Sequence, residues 1–215
     1  MTYELLPLTE RDRDAVVPLL ARYPFKEWQK RVQELDSTRL ARMLWERLES
    51  RRQDPETAAW VAWRTAPREA VGLGVVTPHS THSRIFGLPM GRIEDLVNYV
   101  DPEAVGPLLL DRLLEHARRT GLSHLACRVD GHDWANLQML EAAGFRCVDC
   151  SLKLARRLDG LDRMPAVEGA GVRIRPWAPA DLPHIQRIAA ESHTRNHFYN
   201  DPLLSREKAE ALFRH

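Results

Sequence analysis

The chain has 215 residues, of which 44% are hydrophobic and 28% charged, and its net charge is +1 at pH 7. That composition supports a folded core. It lacks the concentrated positive charge that nucleic-acid binding rests on, and no run approaches the roughly 18 apolar residues of a membrane span. Met1-Thr2-Tyr3-Glu4 has no signal-peptide pattern, and Cys127, Cys147 and Cys150 are too few and odd in number for a disulfide framework, so a cytoplasmic protein is expected.

In chain order, Tyr3 to Leu8 reads as a strand. Thr9 then caps a helix over Glu10 to Arg22, with Pro18 inside it. A second helix covers Asp36 to Arg52, where Leu40, Met43, Leu44, Trp45 and Leu48 share a face. Its arginines read as the solvated face of that helix. Ala58 to Trp63 and Ala70 to Val76 are strands divided by the turn Ala66-Pro67-Arg68-Glu69, and Trp60 and Trp63 read as core. Arg92 to Val100 is the next strand.

Pro107 to Thr120 is the clearest helix, with Leu108, Leu109, Leu113 and Leu114 apolar and Gly121 as its C-cap. His124 to Val129 is a strand, Trp134 to Ala143 a short helix closed by Gly144, and Phe145 to Leu154 a final strand. The strand–helix–strand unit from Arg92 to Val129 implies parallel pairing through a right-handed crossover. Residues 1–158 thus read as an α/β domain.

Residues 159–171 hold Gly160, Pro165, Gly169 and Gly171 and read as a linker. A second start follows: a strand over Val172 to Pro176, then helices over Asp181 to Glu191 and Ser205 to Arg214. It echoes the first at one constant offset. Pro7 meets Pro176, Asp12 meets Asp181, Val16 meets Ile185, Leu19 meets Ile188 and Ala21 meets Ala190. Residues 172–215 therefore read as the incomplete beginning of a repeat of the first domain.

Ile93 to Phe145 resembles the central part of the GNAT superfamily of N-acetyltransferases. There a strand leads through a glycine-rich turn to a helix, a strand, a short helix and a Gly-Phe pair, here Gly144-Phe145. The resemblance implies a GNAT-like fold with a mixed central sheet flanked by helices, acetyl-CoA as the acetyl donor, and an amine acceptor. It implies that Val100, Gly106, Leu108 and Asp133 lie on the cofactor side. A helix N-terminus suits a pyrophosphate, because it presents N–H groups and a positive dipole end. This chain departs from the pattern at that turn. Asp101-Pro-Glu-Ala-Val-Gly106-Pro107 keeps only Gly106, lacks the Arg or Gln, and places Asp101 and Glu103 where they repel phosphate. Leu140 stands where family members often carry a proton-donating Tyr, and Asp133 where an Asn often lies.

A narrower resemblance is to the TDP-fucosamine acetyltransferase branch, whose first half is degenerate and whose second half binds acetyl-CoA. Ser83 to Ile93 is similar to a segment of that first half, and Ser192 to Pro202 to the early helices of the second. This implies an amino sugar nucleotide as acceptor, with Arg195, His197, Tyr199 and Asp201 on the acceptor side, in a loop between two helices. The alternative is a GNAT-like binding or dimerisation module without turnover; a homodimer is compatible with either. No metal is expected. His79 and His82 lack a third ligand, and Cys147-x-x-Cys150 has no second pair.

Overall fold

The computed structural model describes residues 1–25, 36–152, 154, 174–192 and 196–212. It divides into two compact units, Met1–Arg146 and Cys147–His215.

The first unit is built on a five-stranded sheet in the order β1 (Tyr3–Pro7), β2 (Ala58–Thr65), β3 (Arg68–Pro78), β4 (Met90–Val97) and β5 (His124–Cys127). The first four strands are antiparallel and β5 runs parallel to β4. The expected mixed sheet flanked by helices is the observed one. A 3-10 turn at Glu10–Asp12 leads into α1 (Arg13–Arg22), and Asp36 caps α2 (Ser37–Arg52) through the Thr38 and Arg39 amides. A short α3 (Ser80–Phe86) precedes β4. Then come α4 (Pro102–Arg119) and α5 (Trp134–Ala142).

Strand alternation divides the core into two layers. Val61, Trp63, Leu73, Val75 and Val97 pack with Val16, Leu19, Ala41, Trp45 and Leu48 of α1 and α2. Ala62, Val71, Val76, Ile93 and Leu96 pack with Val105, Leu109, Leu110 and Leu113 of α4. Gly72 lets α4 lie close, since a Cβ there would stand 2.6 Å from Val105 Cγ1 and 2.8 Å from Leu109 Cδ1.

Two strand readings are corrected. Phe145 to Leu152 and Leu154 adopt no strand, and Leu152 and Leu154 are exposed. Their apolar alternation marks a face, but a strand also needs a neighbour to receive its backbone hydrogen bonds. Ile174 to Pro176 are likewise irregular; Val172, Arg173 and the linker 159–171 lie outside the described residues.

The second unit holds α6 (Leu182–Ser192), α7 (His197–Asn200) and α8 (Arg206–Leu212), and no strand among its described residues. Its opening corner repeats that of the first unit. Thr9 has φ −124° and ψ 165°, and its N–H donates to Asp12 Oδ2 at 2.7 Å. Ala178 has φ −124° and ψ 156°, and its N–H donates to Asp181 Oδ2 at 2.8 Å. A 3-10 turn at Pro179–Asp181 then leads into α6, as Glu10–Asp12 leads into α1. Among the described residues no helix is long and apolar enough to cross a membrane.

Candidate functional site

The pairing of β4 with β5 stops partway along β4, and the place where it stops is called the wedge below. Met90 to Ile93 pair with His124 to Cys127, after which β5 ends while β4 continues to Val97. Buried polar side chains of this chain gather there, beside the part of β4 beyond the pairing. Asp133, Asn136 and Asn98 are 3%, 1% and 2% exposed. Asp133 caps α5, accepting from the Asn136 amide. The Asn136 Nδ2 donates to Asp133 Oδ2 at 2.7 Å and to the Leu96 carbonyl of β4 at 3.0 Å. Asn136 Oδ1 accepts from Asn98 Nδ2 at 2.9 Å. Tyr23, just beyond α1, donates to Asp133 Oδ2 at 3.3 Å. Burial, and then the Asp133 charge, push the Tyr23 phenol above its ordinary value.

The N-terminus of α4 lies beside this wedge and differs from the sequence expectation. The helix starts at Pro102, not Pro107, so residues 101–106 form no phosphate-cradling turn. Asp101 is an N-cap and Pro102 is well suited to the first helical position, which together override the later proline. Most of the donors at this helix end are unavailable to a phosphate. Pro102 has no N–H, the Ala104 amide donates to Asp101 Oδ1, and the Val105 amide donates to the Asp101 carbonyl. Tyr3 of β1 donates its hydroxyl to Asp101 Oδ2, and this hydrogen bond is the main cause raising the Tyr3 pKa.

The four expected cofactor-side residues do not form one cradle. Gly106 is buried within α4, where a Cβ would stand 2.5 Å from Asn98 Nδ2 and 2.9 Å from Met139 Sδ. Through Asn98 and Asn136 it connects to Asp133. Val100 and Leu108 are exposed, the first in the β4–α4 connection and the second on the outer side of α4. Leu140 is buried in the α4 layer. The residues present do not fit acetyl-CoA: a carboxylate occupies the helix end that would receive its pyrophosphate, and the Leu96 carbonyl beside it is already bonded by Asn136.

A second cluster lies on the other face of β4. Val75 pairs with Asp95 and Val76 with Ile93, so Glu94 is an extra residue in the strand. The resulting bulge turns Glu94 and Asp95 to the same face, toward α2. Arg51 reaches Glu94 at 2.8 Å and Asp95 at 3.5 Å, and Arg47 reaches Asp95 at 3.4 Å. Burial raises the Asp95 pKa, against the opposing pull of Arg47 and Arg51. Cys127, opposite Ile93, is pushed up to about 12 by burial and stays a neutral thiol.

The raised Asp95 pKa has a testable sign. The native state holds this proton more tightly than the unfolded chain. The associated stability is therefore complete below the unfolded value, near 3.8, and is lost as pH rises through the folded value. Relative to Asp95→Asn, the native chain should lose stability across that window. Urea titrations of both proteins at a series of pH values read this difference, and a difference flat in pH would refute it.

On the acceptor side, Arg195 lies outside the described residues. His197, Tyr199 and Asp201 are brought together, but on a turn of helix rather than in a loop. Asn196 caps α7 through the Phe198 and Tyr199 amides, and the Asp201 amide donates to the His197 carbonyl. His197 Nδ1 stands 3.8 Å from Asp149 Oδ2, and the Arg206 guanidinium lies 5.9 Å from the Tyr199 ring centre. Asp201 Oδ1 accepts from the Leu203 amide.

The His79 and His82 rings stack 3.7 Å apart, and no metal-binding group occurs among the described residues. Cys147 and Cys150 are exposed free thiols. A concavity of about 660 Å³, lined by Pro78, Ser83, Pro89, His116 and Leu122, opens where β4 and β5 begin, away from the wedge. Burial lowers the His116 pKa there, reinforced by Arg119.

Sequence reasoning missed Tyr23, Asn98, Asn136, Glu94 and Asp95. One signal was available for the last two: consecutive acidic residues break the alternation of a half-buried strand. Asn98 was similarly visible as a polar residue at the end of an apolar run.

No protein-family model matches the sequence, and no curated protein matches it. Solved structures match its architecture. A transcriptional regulator from Bacillus halodurans C-125 aligns with a TM-score of 0.55 at 22% identity, over 71% of this chain and 99% of that one. A probable acetyltransferase gives 0.53 at 17% identity, over 72% and 99%. AAC(6')-Iy in complex with the bisubstrate analog CoA-S-monomethyl-acetylneamine gives 0.50 at 14% identity, over 73% and 99%. The five-stranded mixed sheet flanked by helices gives this chain the mixed α/β fold of GNAT acetyltransferase structures.

Proposed function

We propose that this chain is part of an N-acetyltransferase of the GNAT type, in which the first unit does not hold acetyl-CoA and residues 172–215 begin a second GNAT-like domain. The acetyl group passes from acetyl-CoA to an amine, with an amino sugar nucleotide as the acceptor class. Arg195, His197, Tyr199 and Asp201 are the acceptor-side residues of that second domain. A guanidinium suits a nucleotide phosphate and a phenol ring suits a base or sugar face. In support of acetyl transfer stand the shared fold and a similar structure holding a CoA analog.

The observation that carries the reading of the first unit is the Asp101 carboxylate at the start of α4, capped onto Ala104 and bonded by Tyr3. The repeated corner at Asp181 supports the reading of the second, as does a contrast in burial. Leu8, Val16 and Leu19 are 5%, 0% and 0% exposed, whereas Trp177, Ile185 and Ile188 at the matching positions are 64%, 44% and 58% exposed.

Calorimetric titration of this chain with acetyl-CoA tests the proposal, and no saturable heat is expected. Saturable binding at one site per chain would overturn it. The exposed stripe on α6 also favours a second reading, a non-catalytic binding or dimerisation module. Sedimentation velocity tests this second reading, which requires self-association through the stripe that Ile188→Glu disperses; a monomeric native chain would refute it as a dimerisation module.

A further inference from the structure

The buried carboxamide of Asn136 does more than tie α5 to β4. Beyond Ile93, the edge of β4 that faces the wedge has no strand beside it among the described residues, yet a buried backbone carbonyl there needs a donor. Leu96 finds one in Asn136 Nδ2 at 3.0 Å. The same carboxamide uses its second donor on Asp133, and its oxygen accepts from Asn98. Both of its polar atoms are engaged, and its side chain is fully buried. An amide-bearing molecule lying along β4 would have to make the same bonds: a donor to Leu96 and an acceptor for Asn98.

We propose that Asn136 is an internal surrogate for a ligand amide, plugging the β4–β5 wedge permanently. The inference rests on the reading that the first unit holds no acetyl-CoA, and it says what took the vacated place. Two features set the plug. Gly106 lets Asn98 lie against α4, as the 2.5 Å approach of a built Cβ requires. Asp133 holds the Asn136 carboxamide from the helix side, itself held by Tyr23. The wedge is then a joint closed from within and not a pocket.

A surrogate can be replaced by what it imitates. Asn136→Ala removes the carboxamide and leaves Leu96, Asn98 and Asp133 each short of a partner. Its thermal midpoint should fall by about 5 °C, as expected when three coupled hydrogen bonds of one buried side chain are lost in a chain of this size. Acetamide is the probe. It should return a concentration-dependent part of that loss to Asn136→Ala, while shifting the native chain and Asn136→Leu equally and by less. Asn136→Leu fills the volume without the bonds, so it separates amide rescue from a general solvent effect. If acetamide moves all three proteins alike, Asn136 is ordinary packing and the proposal fails. If Asn136→Ala does not fold, Asn98→Ala serves in the same comparison, since it leaves the Asn136 oxygen unpaired. Stabilisation of the native chain by pantetheine is a separate result: it would overturn the closed-wedge reading itself, whatever acetamide does to the variants.

Discussion

Truncating Leu109 to alanine should lower the unfolding free energy by roughly 2–5 kcal/mol, while truncating its neighbour Leu108 should cost less than about 0.5 kcal/mol. The two leucines are adjacent in sequence and opposite in burial: Leu109 is 0% exposed and Leu108 42%. Leu109 packs where the sheet has no side chains of its own. A built Cβ on Gly72 or Gly74 would lie 2.8 or 3.3 Å from its methyl carbons. The glycines cannot move to fill the space a truncation leaves, so both the transfer and the cavity terms apply. Urea denaturation followed by circular dichroism compares the variants. Equal losses at the two positions would mean that α4 presents a different face to the sheet. The comparison also bears on the candidate site, because the resemblance put Leu108 near a cofactor and the structure puts it in solvent.

Asp133→Ala should be the most costly polar change, at roughly 2–4 kcal/mol. It removes the N-cap of α5, typically worth about 1 kcal/mol. It also strips a partner from the buried Asn136 carboxamide and from the Tyr23 hydroxyl, each a loss of about 1–3 kcal/mol when unreplaced. These losses share groups and do not add in full. Asp133→Asn keeps the shape and one acceptor oxygen, and should retain at least half of the native stability difference. Chemical denaturation of both variants decides the point. If the alanine and asparagine variants lose equally, the carboxylate charge matters and the hydrogen-bond geometry does not.

The layers of the first unit were legible because local pattern and burial agree. The stripe of Leu109 and Leu113, the cap at Asp36 and the β2–β3 hairpin need only nearby residues to specify them. The start of α4 was equally legible but was misplaced. Asp101-Pro102-Glu103 carries a cap, a first-turn proline and a first-turn acid, a stronger signal than Gly106-Pro107. The likeness to a glycine-rich turn drew the boundary too far along. The wedge was not legible, for a physical reason. Asn136 meets Leu96 and Asn98 across the fold, and no spacing along the chain encodes a hydrogen bond between residues so far apart. The missing final strand has a similar cause: alternation in Phe145 to Leu154 specifies faces, and a ladder depends on a partner that alternation does not supply.

The bulge in β4 has a consequence for chain length. Ile93 faces α4, Glu94 and Asp95 both face α2, and Leu96 and Val97 resume the alternation toward α4 and then α2. Reading past Glu94 restores an unbroken two-residue rhythm from Ile93 to Val97. The strand therefore behaves as a regular one with a single letter inserted. Most one-residue changes in a sheet reverse every face downstream of them, but here an insertion has been absorbed where it stands, and both core layers keep their residues.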